Sequence, residues 1–157
     1  MRQMQPLVSE GSDLTLVVAL PEPGRYRMRI LVADRNAAVR SAVTMYLQST
    51  LELDTVWEAG DDEELLAQAE VFRPDIVLLD WGLPGRARNE WLASLHALHG
   101  TPSVVVLGSR LEQEQDALAA GGDYFAYKGD PPARLLATMR LAMADRGAGQ
   151  GLQHGVD

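Results

Sequence analysis

The sequence predicts a doubly wound α/β fold over residues 28–146, a five-stranded parallel sheet with helices on both faces. Three observations carry this expectation. Five short apolar runs alternate with helical patterns of about 10 residues, and strands so separated pair in parallel through right-handed crossovers. The run Ile76-Val77-Leu78-Leu79 is apolar throughout and is bounded by Pro74 and Gly82, as suits a strand covered on both faces. It ends in Asp80, just before the loop Trp81-Gly82-Leu83-Pro84-Gly85, at the strand end where open α/β sheets place their ligands. Taken alone, a strand-end Asp caps a turn about as often as it does chemistry.

The elements follow in order. Arg29–Ala33 reads as the first strand, and Ala37–Ser49 carries Val39, Val43, Tyr46 and Leu47 at helical spacing behind the N-cap Asn36. Asp54–Ala59 is the second strand. Asp61-Asp62-Glu63-Glu64 then places acids in a first helical turn, where the macrodipole favours them, with Leu65, Leu66 and Ala69 facing inward. This acidic run reads as a solvated turn and not as a metal site. Asp75–Leu79 is the third strand, Asn89–His99 the third helix and Ser103–Leu107 the fourth strand. Glu112–Ala120 is the fourth helix and Asp123–Tyr127 the fifth strand. The last helix runs from Pro132 to Met143, opened by a proline pair, with Leu136, Met139 and Met143 on one face. Residues 1–27 form an extension in which Leu14–Leu20 suits an extra edge strand, a docking segment or a loosely ordered stretch, before the break at Pro21-Glu22-Pro23-Gly24. Residues 147–157, glycine-rich and without apolar pattern, are predicted to be a disordered tail.

Composition narrows the function. At 157 residues and 46% hydrophobic content the chain suits one domain with tails. A net charge of -8 opposes binding to a phosphate backbone, so no nucleic-acid partner is expected. Cysteine is absent, which excludes disulfides and thiolate metal sites. No apolar run approaches the roughly 20 residues of a membrane span and no secretory signal opens the chain, so a cytoplasmic protein without a membrane partner is expected. His96 and His99 lack an acid or Cys at metal spacing and read as surface or capping groups, with His154 in the tail. Trp57 and Trp91 read as packed against helices, while Trp81 could shield a pocket or meet a partner beside Asp80. No G-x-G-x-x-G or G-x-x-x-x-G-K-[ST] pattern follows a strand, which disfavours a nucleotide-binding enzyme.

Over residues 28–145 the element order and the segments Pro74–Gly85, Val32–Asn36 and Asp123–Lys128 together resemble the receiver domain of two-component response regulators, a CheY-like, flavodoxin-like fold. The resemblance implies that Asp80 accepts a phosphoryl group from a histidine kinase or phosphotransfer protein. It implies that Asp34, Asp80 and the carbonyl of Gly82 would ligate Mg²⁺, with Arg35 standing where the family carries a second acid and Arg40 further along the same segment. The family's Ser or Thr after the fourth strand is Gly108 here, followed by Ser109. Lys128 matches the family's lysine, although Gly129 replaces the proline that usually follows. Phe125 falls at the aromatic switch position, and equally reads as a core aromatic.

The chemistry accounts for these residue types. An Asp carboxylate can attack a phosphoryl group, provided that the group's negative charges are offset. Mg²⁺ takes one or two carboxylates with waters and phosphate oxygens, and a lysine supplies a compact charge for one phosphate oxygen. Lys128 is the sole lysine beside thirteen arginines, which makes its placement informative. Arg35 removes a ligand and adds positive charge, so Mg²⁺ is expected to be held weakly or lost. It could instead fork onto Asp80 or stand in for the metal's charge.

The expected function is a stand-alone receiver module in phosphorelay signal transduction, a phosphoprotein that is no enzyme beyond its own phosphoryl transfer. No output segment is recognisable, so signalling would pass to an output protein through the fourth helix, fifth strand and fifth helix, with a homodimer through that face as the assembly the resemblance suggests. The alternative is a pseudo-receiver that is never phosphorylated and acts as an interaction or dimerisation module. Arg35 and Gly108 favour the alternative; Asp34, Asp80 and Lys128 favour phosphorylation.

Overall fold

The computed structural model describes residues 28–156, so the extension with its suggested strand at Leu14–Leu20 and break at Pro21–Gly24 lies outside the described residues. Five strands and five helices alternate: β1 (Met28–Ala33), α1 (Ala37–Thr50), β2 (Leu53–Ala59), α2 (Asp62–Phe72), β3 (Ile76–Asp80), α3 (Arg88–His96), β4 (Ser103–Gly108), α4 (Gln113–Ala119), β5 (Tyr124–Tyr127) and α5 (Pro132–Val156). All strand pairs are parallel and the spatial order is β2-β1-β3-β4-β5. The chain reverses its direction of winding at β1, whose neighbours are β2 and β3. Ala33 of β1 registers with Leu79 of β3, which brings the residues after both strands to the same crevice.

Period-two burial builds one core on each face of the sheet. Leu31, Val77, Leu79, Val104 and Val106 meet Leu65 and Ala69 of α2, Trp91, Leu92 and Leu95 of α3, and Ala117 of α4. On the other face Ile30, Val32, Ile76, Leu78, Val105 and Leu107 meet Leu47 of α1 and Met139 and Ala142 of α5. β3 is central and wholly buried, as its unbroken apolar run requires.

Local chemistry sets the helix starts. The Asn36 side chain accepts from the backbone N–H of Ala38 and Val39 at 3.0 and 3.1 Å, as predicted. Asp61 accepts from Glu64 N–H at 2.8 Å, and Glu64 reaches back to Gly60 N–H at 2.7 Å, a reciprocal cap of α2.

Three expectations need correction. α5 continues past Met143 to Val156, so residues 147–156 are helical and not a disordered tail. Glycine costs a helix only about 1 kcal/mol per position, and no proline interrupts the segment. The core face of α5 is carried by Leu135, Met139, Ala142 and Met143, one step off the predicted Leu136. α3 ends at His96, because Gly100 and Thr101 turn the chain with φ of 89° and 35°.

Deleting side-chain volume from β3 tests the two-layer packing. Leu78→Ala is expected to cost about 2–5 kcal/mol. Urea denaturation should show a lower midpoint with an unchanged slope.

Candidate functional site

The loops after β1, β3, β4 and β5 meet at the carboxyl end of the sheet, and two acids are buried there: Asp34 is 3% exposed and Asp80 7%. Asp34 follows β1, with its N–H donating to Ala59 O at 3.0 Å. Its Oδ1 accepts from Asn36 N–H at 2.9 Å, which ties the carboxylate to the cap of α1. Arg40 supports the same turn, donating Nη1–H to the Asp34 carbonyl at 2.6 Å while its Nε pairs with Glu58 at 3.0 Å. Asp80 closes β3, in register with Leu107, and its carbonyl accepts from Leu83 N–H at 3.0 Å.

Lys128 joins the two acids. Its backbone N–H donates to Gly108 O at 2.8 Å, extending the β4–β5 ladder by one residue and placing the side chain over the crevice. The ammonium then lies 3.1 Å from Asp34 Oδ2 and 2.9 Å from Asp80 Oδ1. Burial pushes the lysine pKa down, but hydrogen bonds and attraction from Asp80 and Asp34 outweigh it and hold the group above its ordinary value. Asp80 Oδ2 makes no hydrogen bond among the described residues, and the backbone of Gly82 stands beside it: a Cβ at Gly82 would lie 3.5 Å from that oxygen.

The remaining expected residues divide. Arg35 is exposed and forms no ion pair among the described residues, so the fork onto Asp80 is not formed; Lys128 is the cation that Asp80 faces. Ser109 is exposed; its backbone N–H and that of Arg110 donate to Gln113 Oε1 at 2.9 and 3.1 Å. Gly108 is buried at the end of β4 with the Phe125 ring against it. His96 meets Asp123 at 3.3 Å, a surface contact as expected. Trp57 stacks on Phe72 with ring centroids 4.5 Å apart. Trp81 does not stand open beside Asp80. It is buried edge-to-face with Trp91 at 6.1 Å, under the Arg88 guanidinium at 4.8 Å, and Arg88 Nε donates to its carbonyl at 2.6 Å.

Asp62 is the residue that sequence reasoning misplaced. It is buried and not solvated: its Oδ2 accepts from the backbone N–H of Arg86 at 2.9 Å and from Arg86 Nε at 3.0 Å. The Arg86 backbone hydrogen bond, aided by the guanidinium charge and opposed by burial, holds its carboxyl below the usual range. Gly85 sits under this carboxylate with φ 133°, and a Cβ there would come within 2.1 Å of Asp62. The β3–α3 loop is thereby pinned to the start of α2. The acid and its arginine lie 24 residues apart, and the visible signal was the Gly85-Arg86 pair in the loop.

Two buried carboxylates suit a hard cation such as Mg²⁺, which is commonly held by one or two carboxylates with waters and phosphate oxygens. They make a sparse set: no cluster of three or more His, Cys, Asp or Glu suited to a metal occurs among the described residues. No helix among the described residues is long and apolar enough to cross a membrane.

A lysine shared by two buried acids predicts a signed pH response. Because its folded pKa is raised, Lys128 stabilises the fold fully below the ordinary lysine range and ceases to do so as pH rises through the folded value. Lys128→Met is expected to cost about 1–3 kcal/mol at pH 7, by leaving two buried carboxylates without their cation. Urea denaturation at pH 7 should show that loss as a lower midpoint.

Residues 30–140 match the family model described as the response regulator receiver domain. Among curated proteins, the chain is 31% identical over 121 residues to the response regulator GacA of Pseudomonas viridiflava, covering 74% of this chain and 56% of that protein. It is 30% identical over 117 residues to the nitrate/nitrite response regulator protein NarL of Escherichia coli K12, covering 73% and 54%. The chain thus spans about half the length of these relatives. A CheY-like response regulator receiver domain protein from Methanospirillum hungatei shares the fold, with TM-score 0.67 and 24% identity over 80% of this chain and 99% of that one.

Proposed function

This chain belongs to the response regulator receiver family, and we propose on that premise that it is a phosphoryl-accepting receiver in a two-component relay, with Asp80 as the acceptor. The observation that carries the reading is the Lys128 bridge. One cation holds Asp34 Oδ2 and Asp80 Oδ1, while Asp80 Oδ2 has no hydrogen bond among the described residues and lies beside Gly82.

In the proposed step an Asp80 carboxylate oxygen attacks the phosphorus of a phosphohistidine on a kinase or phosphotransfer protein. A P–O bond forms as the P–N bond breaks, and the departing imidazole takes a proton from solvent. Lys128 offsets charge on the acyl phosphate, being a point donor already aimed at the acceptor. Asp34, Asp80 and the Gly82 carbonyl would hold Mg²⁺, which supplies further charge neutralisation at the phosphoryl oxygens. Arg35 lies beside Asp34 in the chain, adds positive charge and brings no ligand, so it weakens that metal site.

The signal would leave through the face formed by α4, β5 and α5, towards an output protein or a second copy. There Leu111 and Leu141 are 61% and 54% exposed beside a groove of about 400 Å³. A second reading, a pseudo-receiver that works by binding alone, draws on Arg35 and on the contact of Gly108 with Phe125.

Intact mass after incubation with a small phosphodonor separates the two readings. Wild type with Mg²⁺ should gain one phosphoryl group, and Asp80→Asn should gain none; an unlabelled wild type would sink the acceptor reading. Arg35→Asp should label at Mg²⁺ concentrations about tenfold lower than wild type requires. If its Mg²⁺ dependence matches wild type, Arg35 does not weaken the metal site.

A further inference from the structure

Each of the two glycines that replace the expected side chains, buried Gly108 and exposed Gly129, is covered by an aromatic ring of β5. A Cβ on Gly108 would lie 2.5 Å from Cε1 and Cζ of Phe125 and 2.9 Å from Gln113 Oε1. A Cβ on Gly129 would lie 2.3 to 2.5 Å from Cε2, Cζ and the hydroxyl of Tyr127. Neither glycine has a positive φ, which among the glycines is found at Gly85, Gly100 and Gly121. What these positions require is therefore the missing side chain, not backbone freedom. The ring of Phe125 fills the space that a Ser or Thr hydroxyl side chain would need.

Phe125 and Tyr127 also line the groove between α4, β5 and α5, with Leu111, Arg134, Ala137 and Leu141 among the other lining residues. The two rings thus connect the crevice end of β4 and β5 to the exposed groove. Phe125 is half-buried against the core face that carries Val106 and Ala117, in register with Val106. The Phe125 ring holds the space at position 108 unless another side chain competes for it. In this chain position 108 has no atoms with which to compete.

We propose that Gly108 and Gly129 are seats that fix the Phe125 and Tyr127 rings, so that the groove keeps one form whatever the charge state of Asp80. The inference rests on Asp80 being the group whose charge changes. It makes the groove a constitutive surface, with the acidic site able to alter local charge but not ring position.

Aromatic and backbone-amide NMR of the full chain, recorded on the same samples with and without beryllofluoride and Mg²⁺, tests this. The amides of Gly82 and Lys128 should shift, while the ring resonances of Phe125 and Tyr127 stay in place. Without the probe, Gly108→Ala should displace the Phe125 ring and Gly129→Ala the Tyr127 ring. The stability lost in Gly108→Ala should shrink in a Phe125→Leu background, where the ring tip is gone. Wild-type rings that shift on adding the probe as far as they do in the alanine variants overturn the inference and leave the acceptor reading intact. If the amides do not respond, the acceptor reading fails and the alanine variants decide: displaced rings support the seats, and unmoved rings overturn them.

Discussion

Two carboxylates sharing one lysine set the terms for the rest of this molecule. Burying Asp34 and Asp80 without a counter-charge would cost several kcal/mol each, and their mutual repulsion would add to it. Lys128 offsets both at 3.1 and 2.9 Å, yet the cluster still carries one net negative charge. The arrangement is possible because the strand order places β1 beside β3, and the β4–β5 ladder carries Lys128 to the same end of the sheet. Arg40 and Asn36 fix the Asp34 turn from one side, and the Asp62–Arg86 pair fixes the β3–α3 loop from the other. Neither support contributes a donor to Asp80. Among the described residues, the groups around Asp80 Oδ2 hold its surroundings and do not bind it.

The opposite end of the sheet shows what an acid does when its role is structural. Asp75, just before β3, is 4% exposed; its Oδ2 accepts from Arg29 N–H at 2.9 Å, and its N–H donates to Arg29 O at 2.8 Å. Arg146 of α5 reaches the same corner, donating to Thr101 O at 2.9 Å and Gly100 O at 3.2 Å and lying 4.0 Å from Asp75 Oδ1. There the carboxylate is tied to the Arg29 backbone N–H of β1 and faces Arg146 of α5, which links β1, β3 and α5. At the carboxyl end the acids face a lysine that is the sole cation on Asp80 among the described residues. Residue type is the same at both ends of β3; what differs is whether backbone donors use up the oxygens.

This contrast also explains what could be read in advance. The five strands were legible because buried parallel strands leave continuous apolar runs, and Asp34, Asp80 and Lys128 were legible because each follows or closes such a run. Lys128 had the further signal of being the single lysine. Asp62 was misread because one acid in a row of four carries no mark of burial; its arginine is remote in sequence and meets it through a glycine-bearing turn. For Trp81 the sequence left two roles open, shielding a pocket or meeting a partner. Its packing was not visible because its partners Trp91 and Arg88 come from the next helix. The length of α5 escaped because glycines were taken as a stop, when continuation costs only propensity.

The departures from the family pattern are best understood through packing. Removing a side chain from a dense interior leaves a void that costs free energy in proportion to its volume, unless a neighbour moves in. At buried Gly108 the Phe125 ring occupies the freed space and the Gln113 amide closes the polar side while holding two loop N–H groups; at exposed Gly129 the Tyr127 ring lies over the glycine. These positions are therefore not gaps awaiting the usual residues, because restoring a Cβ at either one would collide with a ring within 2.5 Å. Arg35 differs in kind: it is exposed and touches none of the site's acids among the described residues, so it acts through charge alone and can be exchanged without repacking. The charges around Asp80 and the packing of the two rings thus rest on separate residues. One set tunes charge around the bridge; the other sets where two rings lie.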